Sequence, residues 1–256
     1  MSIKVSLILT TYNCASDLVR TLESIESQDY PDIEVCIKDG GSTDGTLKTI
    51  RAYEKRSRFT VKWTSEKDGG IYDAMNKGYA LSEGEIVAFF NEQFLSPQVV
   101  SKMVKLITET PDPEGGRIVG AHADLVYATD EKVVRYWHMG PQRSLLLGWM
   151  PGHPTLFLKR EIYEKYGLYD TSFRIAADYE FMLRFLKDRE NRLAYLPETI
   201  IRMYYGGTST ESAGSYLDSL KEGHRAVVRN GIRPSFSTDM LRTIRVLLQF
   251  VRRERK

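Results

Sequence analysis

The chain reads as an α/β protein built on a mostly parallel, doubly wound sheet with C-terminal helices. Three observations predict this. Strand-like and helix-like segments alternate up to about residue 125, as repeated strand–helix units require. The polar clusters Thr10–Asn13, Asp39–Asp44 and Asn91–Gln93 fall at strand carboxyl ends, where such sheets bind ligands. A length of 256 residues with 42% apolar content suits one large core.

The elements follow in order. Val5 to Leu9 is a buried strand, and Leu18, Leu22 and Ile25 carry helical spacing after the start signals Ser16 and Asp17. Ile33 to Ile37 is a second strand, ending at Asp39-Gly40-Gly41. Ser42 or Thr43 is expected to open the next helix, which carries Leu47 and Ile50. A third strand is predicted through Phe59 to Trp63, a helix over 71–81, and a fourth strand over Ile86 to Phe90.

After residue 111 the order changes. Pro111 to Gly116 is a turn-rich break, and strands near 117–127 and 131–137 read as an antiparallel pair. A Gly- and Pro-rich loop spans 139–154. Helices are expected at about 159–166, 177–188, 212–229 and 238–254. No internal repeat or low-complexity tract is present.

Composition excludes some functions. The net charge of +2 gives nucleic-acid binding no support. Cys14 and Cys36 have no CxxC or Cys/His spacing, which suits reduced thiols of a cytoplasmic protein. Met1 to Leu9 lacks the longer apolar core of a signal peptide, and no stretch approaches about 18 consecutive apolar residues.

The most informative segment is Glu66 to Gly78, Glu-Lys-Asp-Gly-Gly-Ile-Tyr-Asp-Ala-Met-Asn-Lys-Gly. A core segment would not carry so many hydrogen-bonding groups, and a plain linker would not carry Ile71, Tyr72, Ala74 and Met75. At the first strand's end, Thr10, Thr11, Tyr12 and Asn13 offer hydroxyls, an amide and an aromatic face. Asp39 can accept from a base N–H, and Gly40 and Gly41 permit close backbone approach. The plainer reading of Asp39 to Thr46 is a turn and a helix cap. No Gly-Lys-Ser/Thr follows these glycines, and the dinucleotide GxGxxG spacing is absent, which disfavours a P-loop and an NAD-dependent reductase.

Thr11-Tyr12-Asn13, Asp39 to Thr46 and Gly70 to Gly78 together resemble the inverting family 2 glycosyltransferases of the GT-A fold, over about residues 3–208. The resemblance implies a GT-A domain over 1–210, with a donor nucleotide-binding half (1–110) and an acceptor half (111–210), and a basic amphipathic helical extension over 211–256. It implies hexose transfer from a UDP-sugar to an acceptor sugar hydroxyl. Asp39 would bind the base, with Thr10, Thr11, Tyr12, Asn13, Gly41 and Ser42 nearby. Asp68, Gly69, Asn76 and Lys77 would line the ribose and diphosphate.

One part of the family pattern is missing. Members usually end the fourth strand in an acidic pair that holds Mg²⁺ or Mn²⁺ against the diphosphate, whereas this chain has Asn91-Glu92-Gln93-Phe94. A Gln carbonyl is a weaker ligand for such hard cations than a carboxylate. Three readings stay open: a metal held by Asn91, Glu92 and Gln93 oxygens with the diphosphate, neutralisation by Lys77 or an arginine, or donor binding with little turnover.

Inverting transfer needs one carboxylate to take the acceptor proton. Ala177-Asp178-Tyr179-Glu180-Phe181 resembles the family segment that supplies it, which implies Asp178 as base and Glu180 as a lesser alternative. Locally, Asp178 is equally a helix cap. Gly152-His153-Pro154-Thr155 resembles a further family segment and implies His153 at the diphosphate or acceptor. Tyr205 to Ser209 resembles a loop that closes over the donor.

In the tail, Leu241, Ile244, Leu247, Leu248 and Val251 form one stripe, and Arg242, Arg245, Gln249, Arg252 and Lys256 the other. Residues 240–256 would suit an anionic membrane surface, or a helix packed on the domain with a solvated basic face. The resemblance implies a lipid-linked saccharide acceptor of the surface-polysaccharide, O-antigen type. The expected place is cytoplasmic, peripheral on the inner face of the cell membrane. The rival from another class is a non-catalytic sugar-nucleotide-binding subunit.

Overall fold

Apolar and β-branched residues in short runs, punctuated by glycine and polar turns, set the architecture. The computed structural model describes residues 2–111, 115–204 and 213–248. In the donor half, strands β1 (Val5–Thr11), β2 (Ile33–Asp39), β3 (Thr60–Ser65) and β4 (Ile86–Phe89) alternate with helices α1 (Ala15–Glu26), α2 (Thr46–Arg56) and α3 (Ile71–Ala80). These four strands are parallel in the order β3-β2-β1-β4. The chain order therefore reverses between β1 and β4, and the crevice above their carboxyl ends is the natural ligand site.

Close approach fixes α3 on this sheet. A β-carbon on Gly78 would sit 2.6 Å from Ile8 Cγ2, so glycine lets the helix lie flat on β1.

The second half continues the same sheet with strands of both directions. Its elements are β5 (Gln93–Phe94), α4 (Val99–Glu109), β6 (Arg117–Ala128), β7 (Val133–Trp137), β8 (Phe157–Lys159), α5 (Arg160–Tyr166), α6 (Ala177–Leu186) and β9 (Asn191–Tyr204). The path runs β4-β8-β6-β9-β5, with β7 antiparallel to β6 as predicted and β9 parallel to it. Short 3-10 turns sit at Leu145–Leu147 and His153–Thr155.

Helices α7 (Ala213–Arg229) and α8 (Ser235–Leu248) end the described chain. They pack on the domain that precedes them. Ala226, Val227 and Ile232 are buried in the core that also holds Phe173, Tyr179, Phe181 and Phe185. Among the described residues no helix is long and apolar enough to cross a membrane.

Several elements differ from expectation. Helix α2 opens at Thr46, not at Ser42 or Thr43, because Asp39 and Asn13 hold those two residues in the preceding loop. Strand β3 is shifted to Thr60–Ser65, and α8 begins at Ser235. Strand β9 and the two short strands β5 and β8 carry no clear period in the sequence. Tyr205–Ser209 and the tail beyond residue 248, with Gln249, Val251, Arg252 and Lys256, lie outside the described residues.

Candidate active site

The loops after β1 and β2 are sewn together by side-chain hydrogen bonds. Asp39 is buried and accepts from Thr11 Oγ1 at 3.0 Å, Ser65 Oγ at 2.7 Å, and the Gly41 and Ser42 amides at 2.9 Å. Ser42 Oγ is a further donor to it. Burial pushes this carboxyl up, but the bonds from Ser42, Ser65 and Thr11 outweigh it and hold Asp39 below the usual carboxylate range.

Five donors fill roughly four lone-pair sites. A nucleobase N–H would therefore have to displace a Ser42 or Ser65 hydroxyl to reach Asp39. Asn13, at φ 47°, accepts from the Thr43 amide and donates its own amide to Ser42 Oγ.

Above this clasp lies an open surface. The Tyr12 ring is 67% exposed. Gly40 lies between that ring and Asp68, so that a β-carbon there would be 2.8 Å from Asp68 Oδ2. Tyr12, Gly40 and Asp68 are thus brought together, available for a flat base and a ribose. The Gly69 amide donates to Asp73, and Lys77 pairs with Asp73 at 3.1 Å and Glu66 at 3.7 Å. Lys77 is at the site's rim with its charge already shared.

Asn76 is not turned to the donor. Its amide donates to the Tyr169 carbonyl at 2.9 Å and accepts from the Tyr169 amide at 3.0 Å, clasping α3 to the acceptor half.

The residues expected to hold Mn²⁺ or Mg²⁺ do not fit a protein-held divalent site. Asn91 Oδ1 accepts from the Thr10 amide at 2.8 Å, and its nitrogen donates to Thr10 Oγ1, joining β1 to β4. Gln93 is neutral and sits in the β5–β9 ladder, its Oε1 buried without a partner. Phe94 stacks on Phe90 in the core, with centroids 3.9 Å apart. Only Glu92 offers a carboxylate, and burial pushes it up to about 7. Among the described residues no three His, Cys, Asp or Glu side chains converge on a cation position.

On the facing side, Asp178 stands in the first turn of α6, half-buried. It does not cap that helix. No side chain does; Glu222 of α7 instead holds the segment that leads into the helix, accepting from the Arg174, Ile175 and Ala176 amides at 2.8–3.1 Å. Asp178 Oδ1 instead accepts from Tyr72 OH at 3.0 Å, a hydroxyl also 2.6 Å from the Ile175 carbonyl. Burial and the neighbouring Asp178 charge push the Tyr72 phenol up, so it stays protonated and able to donate.

His153 Nε2 is 2.8 Å from Tyr169 OH, and the imidazole stacks on Phe89. Burial pushes His153 down against the opposing pull of Asp178, which keeps the ring neutral near pH 7. Glu180 lies elsewhere: it is buried, ion-paired with Arg184 at 2.7 Å, and accepts from Asn230. That arrangement leaves no lone pair directed at an acceptor.

A cavity of about 200 Å³ opens beside Asp178, walled by Trp137, Trp149 and Tyr179, and by Arg242 and Arg245 of α8. The Tyr72 hydrogen bond thus links the helix of the donor-side segment to a carboxylate with an adjoining cavity. Sequence reasoning missed Tyr72, Tyr169, Glu222 and Arg242 as parts of this region. Tyr72 lies within the informative 66–78 segment, but the other three had no local signal.

The model of Glycosyl transferase family 2 matches residues 6–167, a span that ends short of Asp178. An uncharacterized glycosyltransferase of Mycobacterium tuberculosis (strain H37Rv) is 34% identical over 189 residues, covering 70% of this chain and 68% of the relative. A PGL/p-HBAD biosynthesis glycosyltransferase of M. tuberculosis (strain H37Ra) is 28% identical over 184 residues, with the same coverages of 70% and 68%.

Among solved structures, S. aureus TarS 1-349 in complex with UDP-GlcNAc is similar at TM-score 0.69 and 16% identity, covering 95% of this chain and 72% of that one. The mannosyltransferase PcManGT from Pyrobaculum calidifontis, in complex with GDP-Man and Mn²⁺, is similar at TM-score 0.65 and 20% identity, covering 97% and 71%. Against a longer TarS chain the match spans 41% of its length. At these identities the structures share the GT-A fold.

Proposed function

This chain belongs to glycosyl transferase family 2, and we propose that it moves a hexose from a UDP-sugar onto an acceptor sugar hydroxyl with inversion. The observation that carries the reading is the Tyr72–Asp178 hydrogen bond. It ties the helix of the donor-side segment to a carboxylate that borders a cavity.

In this reading the acceptor hydroxyl enters from that cavity and attacks the anomeric carbon from the face opposite the diphosphate. Asp178 takes the hydroxyl proton as the new C–O bond forms and the bond to UDP breaks. General-base assistance of this kind is typically worth about 10² to 10⁴ in rate. Thr11, Asn13, Asp39 and Ser42 shape the nucleotide loop, Tyr12 offers the base a face, and Asp68 lies within reach of the ribose. UDP-GlcNAc and GDP-Man bind TarS and PcManGT, so the fold accepts both nucleotides. The strand-end loops give no reason to prefer guanine here.

No step is assigned to a metal, because the Asn91–Glu92–Gln93 donor set does not fit one. A sugar on a polyprenyl diphosphate remains the proposed acceptor. Membrane contact would then use the outward side of α8, where Phe236, Met240 and Ile244 are 79%, 49% and 43% exposed at helical spacing. Arg242 and Arg245 face the domain, the opposite of a packed helix with a solvated basic face.

Calorimetric titration of UDP-glucose, UDP-galactose and UDP-N-acetylglucosamine, each with Mn²⁺ and with a chelator, tests the donor side. One of them should bind, with affinities in the two conditions within about threefold, less than 1 kcal/mol apart. Binding to none would remove the reading. Binding only with Mn²⁺ would assign Glu92 as a ligand after all.

A further inference from the structure

We propose that the cavity beside Asp178 is an acceptor subsite for a phosphate-bearing saccharide, with Arg242 as the partner of the phosphate. The inference rests on the proposed transferase reading and adds the chemistry of the second substrate.

Arg242 lies on the inward side of α8, its guanidinium carbon 4.5 Å from the centroid of the Tyr179 ring. Gly223 of α7 makes room for it, since a β-carbon there would collide with the guanidinium nitrogens. A glycine inside a helix is less favourable than alanine, so its use here marks a place where the arginine head fits.

The described ion pairs give Arg242 no carboxylate partner. Of the acids on the packed elements, Asp239 pairs through Oδ2 with His224 at 2.6 Å while its Oδ1 is buried without a partner, Glu222 binds the amides that lead into α6, Asp124 pairs with His138 at 2.8 Å, and Asp178 lines the same cavity. Arg245 adds a second positive charge to the same wall, with its Nε donating to the Leu147 carbonyl at 2.9 Å.

A half-buried arginine with no ion pair among the described residues, facing a cavity, is matched by a phosphate. The planar guanidinium binds that group in a fork. The remaining walls, Trp137, Trp149, Met150 and Ile175, suit the apolar face of one sugar ring. A volume of about 200 Å³ is below the roughly 300–1,000 Å³ of drug-sized sites, which limits the occupant to one residue and its link. Asp178 and Arg242 then hold two parts of one molecule, the reacting hydroxyl and the anionic aglycone.

The test uses the full chain saturated with UDP and titrated with inorganic pyrophosphate. Arg242→Gln should weaken pyrophosphate binding about tenfold or more, as expected for loss of a charge-assisted hydrogen bond, while UDP affinity is unchanged. Arg242→Lys should recover part of it. Gly223→Ala should weaken it while Arg242 is still present, with retained UDP affinity reporting an intact fold. If UDP itself does not bind, the transferase reading fails first. If UDP binds but pyrophosphate affinity is the same in wild type and Arg242→Gln, or absent in both, the subsite proposal is overturned. Phosphate could also come from a lipid headgroup, so co-sedimentation with phosphatidylglycerol vesicles is run in parallel. Arg242→Gln should sediment as wild type does. Loss of vesicle binding with pyrophosphate affinity retained would assign Arg242 to the headgroup and overturn the proposal.

Discussion

Tyr72 donates a hydrogen bond to the carboxylate of Asp178 at 3.0 Å, joining two residues 106 positions apart in the chain. The same hydroxyl lies 2.6 Å from the Ile175 carbonyl, and one proton serves both acceptors. The contact makes the start of α3 a support for the carboxylate on α6. It positions Asp178 without touching either substrate.

Tyr72→Phe should therefore lower kcat by roughly tenfold, the scale of one lost hydrogen bond to a charged group. The KM for donor should move little. Steady-state kinetics at varied donor concentration check this. A variant that loses donor affinity and keeps kcat would place Tyr72 on the nucleotide side instead.

Glu222 carries a comparable duty from the C-terminal helices. Its carboxylate accepts from the three consecutive amides of Arg174, Ile175 and Ala176, the segment that leads into α6. Glu222→Ala should cost about 1.5–3 kcal/mol of stability, the scale of a hydrogen bond to a charged group, and should reduce transfer by loosening the segment that leads to Asp178. Glu222→Gln, which keeps an acceptor oxygen, should fall between the two. Thermal denaturation and rate assays on the same samples test the link. Full activity in the alanine variant would show that the contact is structural only.

How much of this was legible in the sequence follows from which forces are local. The strand-end clusters could be read because apolar period and polar punctuation are written in contiguous residues, and Thr11, Asn13, Asp39 and Ser42 do meet at one crevice. The orientation of α8 could not be read. Its two faces carry apolar and basic residues alike, and the choice was made by Gly223, Gly148 and Tyr179, distant in sequence. Asn76 read as a site residue because its motif is polar, yet its amide is used against the Tyr169 backbone. The register of Phe94 depended on Phe90 and Phe157 in the core. Glu222 gave no signal, since a carboxylate that binds loop amides from another helix has no local spacing.

His122 supplies a prediction about pH. It is fully buried between Trp149 and Tyr195, and both ring nitrogens lack a hydrogen-bond partner. Burial pushes it down to about 3 from an ordinary 6.5. The unfolded chain gains a proton near pH 6.5, while the folded one gains it only near 3. Protons thus favour unfolding over that window, and stability falls as pH falls through it. His122→Leu should be at least as stable at pH 7 and should lose less stability between pH 6.5 and 4. Denaturant titrations at several pH values measure the slope. An unchanged slope would mean that His122 is protonated in the fold.

The most direct test of the central claim, that Asp178 is the base of a glycosyl transfer, is Asp178→Asn, measured for UDP-sugar affinity and for UDP release with a polyprenyl-diphosphate-linked saccharide present. The substitution preserves size and the contact with Tyr72 but removes the basic oxygen. Donor affinity should stay within about twofold and UDP release should fall by about 10² to 10⁴. Release within a few-fold of wild type would contradict the assignment of Asp178 and the mechanism built on it.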